Sequence, residues 1–187
     1  MTTKQGKFII AIALQAMILL AIIIFKVSVL AGGTDILLKI TPVDPRDMLR
    51  GDYATFQYDI SNLDSYLFNG QQIRNGDEVY VVLGQNGKYW SVQSVQKDKP
   101  MLQNEWIFIK GTVASGGIET QSDILMPQRS FGASRIHVVY GIEDYFIPEG
   151  KGQGFSFFNK EAGARVAVDD NGNAVLKQLY VDDKPWP

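Results

Sequence analysis

From Phe8 to Phe25 the chain runs eighteen residues with no charge and one polar side chain, Gln15. A helix rises about 1.5 Å per residue, so this run covers about 27 Å of a hydrocarbon layer roughly 30 Å thick. Val27 to Leu30 extends it when Lys26 reaches its ammonium to the headgroups. The pattern changes after Ala31. Apolar and polar residues then alternate in short runs, the period of half-buried strands. The expected organisation is a flank (1–7), a transmembrane anchor (8–30) and a β-rich domain (31–187).

Strands are predicted over Ile36–Thr41, Asp52–Ile60, Glu78–Gly84, Lys88–Gln96, Glu105–Ala114, Ser134–Tyr140, Arg165–Val168 and Ala174–Val181. In the second, Ala54, Phe56, Tyr58 and Ile60 share one face; Tyr53, Thr55, Gln57 and Asp59 share the other. Gln85-Asn86-Gly87 and Asp169–Gly172 mark two hairpins, because Asn-Gly tolerates positive φ. Gly111 is a predicted bend and Ser61–Ser65 a turn. Leu63–Phe68 and Ile142–Phe146 are predicted short helical turns. The fold class is mainly β: one N-terminal transmembrane helix, then an antiparallel sandwich or barrel-like domain.

Charge sharpens this division. Lys4, Lys7 and Lys26 are the only charges before Ala31; the remainder carries 15 basic and 20 acidic residues. An acidic domain without a basic stripe repels phosphate, so no nucleic-acid partner is expected. Lys4 and Lys7 put the flank in the cytoplasm by the positive-inside rule, with the domain extracytoplasmic and the bilayer contacted through Phe8 to Leu30. A cleaved signal peptide is the alternative, with Val29-Leu30-Ala31 before the cut. The apolar run exceeds the usual signal core and Lys26 interrupts the approach, which favours a retained anchor. There is no cysteine. That excludes disulfides and thiolate sites, and with one histidine a zinc centre is not expected. No cofactor is expected either.

Two segments stand out: Pro42–Tyr58 (PVDPRDMLRGDYATFQY) and Tyr140–Gly152 (YGIEDYFIPEGKG). The chain here resembles the GDYXXLXY family of membrane-anchored proteins. The naming motif is Gly51-Asp52-Tyr53-Ala54-Thr55-Phe56-Gln57-Tyr58, with Phe56 in place of the family's leucine. Both are apolar and point to the same strand face. The resemblance implies a protein partnered by multi-spanning membrane proteins; it implies no activity and no catalytic set. A looser resemblance is to the signal-peptidase β fold. No serine precedes Pro45, where that family keeps its nucleophile; Val43 lies near that place, so Ser-Lys chemistry is not expected.

The same segments hold the candidate site. Asp44, Arg46, Asp47, Arg50 and Asp52 put three carboxylates and two guanidiniums within nine residues. With Tyr53, Tyr58, Glu143, Tyr145, Phe146 and Glu149 they form the binding or loop-ordering candidates; Asp144 adds a carboxylate. A bidentate arginine–carboxylate network that pins the loop is the simplest use. A cation site from Asp44, Asp47, Asp52 and Glu149 is a second reading, opposed by the interleaved arginines. An acid–base pair for a hydrolase, drawn from Asp52, Glu143 or Glu149, is a third. Tyr53, Tyr58, Trp90 and Trp106 offer stacking faces for a carbohydrate, envelope fragment or peptide.

Other motifs carry less. Arg50-Gly51-Asp52 matches the cell-adhesion tripeptide but leads into a strand. His137 is expected on the polar face of its strand. Asp169–Asn173 misplaces the glycine of an EF-hand loop and is read as a hairpin turn. Gly150–Gly154 lacks the strand-to-helix setting of a phosphate loop.

Overall fold

The computed structural model describes residues 3–41, 53–101, 105–116, 135–146 and 160–186. The first element is α1 (Thr3–Gly32). Within it, Gln5–Gly32 is long and apolar enough to cross a membrane, by criteria that a signal sequence also meets. It is apolar on every side: Phe8, Ile10, Met17 and Ile23 are each more than half exposed. Such a surface needs lipid or protein around it. Val29 is the exception at 2 % exposure, where α1 meets the β domain.

Twelve strands follow among the described residues: β1 (Thr34–Thr41), β2 (Tyr53–Thr55), β3 (Gln57–Tyr58), β4 (Asn62–Asp64), β5 (Glu78–Asn86) and β6 (Tyr89–Gln96); then β7 (Trp106–Ser115), β8 (Arg135–Val139), β9 (Asp144–Phe146), β10 (Ala162–Val168), β11 (Ala174–Val181) and β12 (Lys184–Trp186). One five-stranded sheet has the order β12-β11-β10-β1-β3 and the other β4-β8-β7-β5-β6; β2 and β9 form a separate ribbon. All pairings are antiparallel. The mainly β prediction therefore holds.

The alternation explains the packing. Ile36, Leu38 and Ile40 of β1, Val79, Val81 and Leu83 of β5, and Ile136 and Val138 of β8 join one buried cluster. Each such side chain stabilises the fold by roughly 1.5–3 kcal/mol through its loss of water contact. Both predicted hairpins are present, with Gly87 at φ +64° and Gly172 at φ +80°.

Some elements differ from the sequence reading. Asp52–Ile60 is not one strand. β2 pairs with β9 and β3 pairs with β1, so the chain changes partner at Phe56. Phe56, Tyr58 and Ile60 are all buried nonetheless, because the burial period survives the change of partner. Ser61–Ser65 is not simply a turn: a 3₁₀ turn at Asp59–Ser61 leads into β4. A second 3₁₀ turn, Ser65–Phe68, covers the last four residues of the predicted Leu63–Phe68 turn, whose first two belong to β4. Ile142–Phe146 is not helical; its last three residues are β9, extended because β2 supplies hydrogen-bond partners. Gly111 lies within a regular stretch of the β5–β7 register, and the irregularity falls between Val113 and Ser115 against β8. Its missing side chain serves packing, since a Cβ there would strike Val138 and Tyr140. β12 lies outside the predicted strands; its Pro185 is tolerated because β12 is an edge strand.

One residue, Gly33, separates α1 from β1. Its amide donates to the Val29 carbonyl at 2.9 Å, closing the helix. A Cβ on Gly33 would lie 2.7 Å from that carbonyl oxygen and 3.0 Å from the Val168 backbone. The helix and the sheet can approach this closely because the side chain is absent.

Candidate functional site

The described parts of the two motif segments, residues 53–58 and 140–146, meet in space. In the ribbon, Tyr53 stands opposite Phe146, Ala54 opposite Tyr145 and Thr55 opposite Asp144. The Thr55 hydroxyl donates to the Asp144 carboxylate at 2.9 Å, and the Phe56 amide donates to the Glu143 carbonyl at 3.1 Å.

Beneath the ribbon lie two buried tyrosines. The Tyr58 hydroxyl donates to the Ile142 carbonyl at 2.6 Å, and the Tyr140 hydroxyl donates to the Ile60 carbonyl at 2.5 Å. Their rings meet edge to face at 6.5 Å, and Phe56 packs edge-on against Tyr58 at 5.5 Å. Burial first, and the Glu143 charge second, push both phenols well above their ordinary pKa of 10.0. They are donors, not phenolates.

Glu143 organises the turn between them. One carboxylate oxygen accepts the Tyr140 amide at 2.5 Å and the other accepts the Ile142 amide at 2.9 Å. The turn passes through Gly141 at φ +75°. Charge-assisted bonds of this kind are among the stronger ones in proteins. Both oxygens are thus committed to backbone donors, which disfavours Glu143 as the base of a hydrolase.

The profile of the GDYXXLXY protein matches residues 15–179. The chain belongs to the GDYXXLXY family. No curated protein and no solved structure matches it. In this family member, the closing tyrosine of the motif, Tyr58, is a buried structural donor.

The other predicted site residues divide in two. Asp44, Arg46, Asp47, Arg50, Asp52 and Glu149 lie outside the described residues, as do Arg50-Gly51-Asp52 and Gly150–Gly154. The described candidates, Tyr53, Tyr58, Glu143, Tyr145 and Phe146, converge on the ribbon and the tyrosine pair. The Tyr145 ring packs on Trp186 of β12 at 5.8 Å. Asp169–Asn173 is a hairpin turn, its carboxylate holding the Asn171 and Asn173 amides. His137 is half-buried on the polar face of β8, with Nδ1 3.0 Å from the Asn62 side-chain oxygen. Among the described residues, no three acidic or histidine side chains gather to hold a metal.

Of the four proposed stacking rings, Tyr58 is buried, Trp106 is 51 % exposed and Trp90 is half-buried. Trp90 lines a cleft of about 360 Å³ with Lys39, Asn62, Asp64 and Asn86. It lies between β4 and β6, the two edges of the second sheet. Sequence reasoning missed this cleft because β4 and β6 are distant in the chain. It also missed Tyr140, whose signal was its place in the burial alternation of Ile136 and Val138, one residue past β8.

Proposed function

We propose that this GDYXXLXY protein is a single-pass membrane-anchored accessory subunit. Its extracytoplasmic β domain docks on a multi-spanning membrane protein, with Lys4 and Lys7 on the cytoplasmic side. The observation that carries the reading is the junction. An apolar helix, exposed along its span, is joined to β1 by the single residue Gly33, with Val29 packed into the domain. A one-residue junction packed on Val29 limits the domain's height and heading above the bilayer, which suits a subunit seated on a membrane partner. The exposed faces of α1 supply a helix-packing surface within the same bilayer.

The test is a mild-detergent pull-down of the full chain from its native membrane, with mass spectrometry. The expected result is a stoichiometric multi-spanning partner, weakened when Phe8–Phe25 is replaced by another apolar span. Recovery of the protein alone would count against the reading.

The Trp90 cleft favours a second reading, binding of a carbohydrate or peptide. Neither the Trp90 indole N–H nor the Asn86 amide is hydrogen-bonded to another described residue. An aromatic face beside uncommitted amides suits a sugar ring or an extended peptide. Neutral oligosaccharides and short peptides titrated against the full chain should shift tryptophan emission, and Trp90→Phe should abolish the shift. No response from the unaltered chain counts against this reading.

A further inference from the structure

We propose that the cleft between the end of α1 and the β domain binds the phosphate of a lipid headgroup; this rests on the membrane-anchored reading. Phe25 ends the apolar run and Lys26 is the first charge beyond it. A span of about 27 Å brings Lys26 to the level of the lipid phosphates. The domain reaches down to the same level. Phe25 and Lys26 share a cleft of about 340 Å³ with Lys110, Thr112, Gly141 and Asn173.

The lining has the chemistry of a phosphate site. Among the described residues its two charged side chains, Lys26 and Lys110, are both cationic, and no carboxylate lines it. Lys26 has no carboxylate partner among the described residues. Lys110 pairs with Glu78 at 3.2 Å, but the side chains are 34 % and 54 % exposed. Such a pair is weak in water, and a phosphodiester can share its ammonium. The Thr112 hydroxyl and Asn173 amide are further donors. The Asn173 side-chain nitrogen gives one hydrogen to Asp169 at 2.8 Å and keeps the second. Phosphate offers several strong acceptor oxygens to such a group of donors. Soluble phosphate shares this chemistry. The lipid is favoured because Phe25 lines the same cleft as the lysines and the apolar run of α1 continues from it, where acyl chains run.

The experiment uses the full chain in a maltoside detergent, which carries no phosphate. Dimyristoyl phosphatidylglycerol is titrated and bound lipid is counted by native mass spectrometry. Diacylglycerol with the same chains is the phosphate-free control, and inorganic phosphate is the competitor. One phosphatidylglycerol should remain bound per chain and diacylglycerol should not. Lys26→Gln with Lys110→Gln should weaken retention about tenfold or more, the scale of one lost charge-assisted hydrogen bond. Equal retention by the double variant, or retention of diacylglycerol, would overturn the proposal. Displacement by millimolar inorganic phosphate would assign the cleft to soluble phosphate and overturn the lipid source. Thr112→Ala, with Thr112 exposed, should fold normally and weaken retention less; it keeps the test open if the lysine variant does not fold. Flotation of the unaltered chain with liposomes checks the anchor separately. A chain that fails to float sinks the anchored reading, and one that floats without lipid selectivity sinks only the phosphate site.

Discussion

Tyr58 and Tyr140 hold each other's chain segments crosswise. Tyr58 donates to Ile142, two residues past Tyr140, and Tyr140 donates to Ile60, two residues past Tyr58. The two hydrogen bonds span 84 and 80 residues of sequence and tie the naming motif to the second motif segment. Because both acceptors are buried carbonyls, removing either hydroxyl leaves an oxygen without its donor. Tyr58→Phe and Tyr140→Phe should each destabilise by about 1–3 kcal/mol. Because each bond holds the segment that carries the other tyrosine, the double variant should be non-additive. Thermal unfolding of the full chain in detergent measures this; a cost indistinguishable from zero for both would contradict the crosswise lock.

The same pair predicts alkaline behaviour. Burial and Glu143 raise both phenol pKa values above 10.0 in the folded chain. A raised pKa contributes stability that is complete below the unfolded value and is lost as pH rises through the folded value. Unfolding should therefore ease above about pH 10. Absorbance at 295 nm should show a fraction of tyrosines ionising only with unfolding. That fraction should shrink in Tyr58→Phe and again in the double variant. Complete titration of the native chain near pH 10 would contradict it.

Glu143 is predicted to act on folding. Glutamine keeps one carbonyl oxygen but turns an amide nitrogen toward a backbone N–H. Glu143→Gln should cost about 1–3 kcal/mol, from a charge-assisted bond lost and a donor left facing a donor. An unchanged melting temperature would mean that the two bonds from the Tyr140 and Ile142 amides do not hold this turn.

The junction is tested by adjacent glycines. A side chain at Gly33 meets the Val29 carbonyl and the Val168 backbone, whereas one at Gly32 meets nothing within 4 Å. Gly33→Ala should destabilise by about 1–3 kcal/mol through overpacking. Gly32→Ala should stay within about 0.5 kcal/mol of the unaltered chain. Equal melting temperatures for the two variants would show that the junction yields freely.

Asp169 predicts the acid limb. Burial alone would raise its pKa, but the Asn173 side chain, the Asn173 and Asn171 amides and the Lys99 charge outweigh it and hold the pKa below 3.8. A lowered pKa contributes stability that is present above the unfolded value and is lost as pH falls through the folded value. The melting temperature should fall as pH drops below about 4. Asp169→Asn should flatten that fall, and an identical acid limb in the variant would exclude a role for this turn.

The sequence by itself determined the apolar helix, both hairpins and the buried faces. It also determined membership of the GDYXXLXY family, through two segments whose described parts lie side by side. These are legible because burial leaves a local period: Phe56, Tyr58 and Ile60 alternate whatever strand lies beside them. Partners leave no such trace. Only the tertiary structure decided that the chain changes sheets at Phe56, that Asp144–Phe146 is extended and that Lys184–Trp186 completes a sheet. Likewise, nothing local marks Glu143 as the holder of a turn, Tyr140 as the counterpart of Tyr58, or Lys110 as the neighbour of Lys26. Each depends on where distant backbone carbonyls, amides and ammonium groups come to rest, which is set when the sheets pack and the helix closes on Gly33.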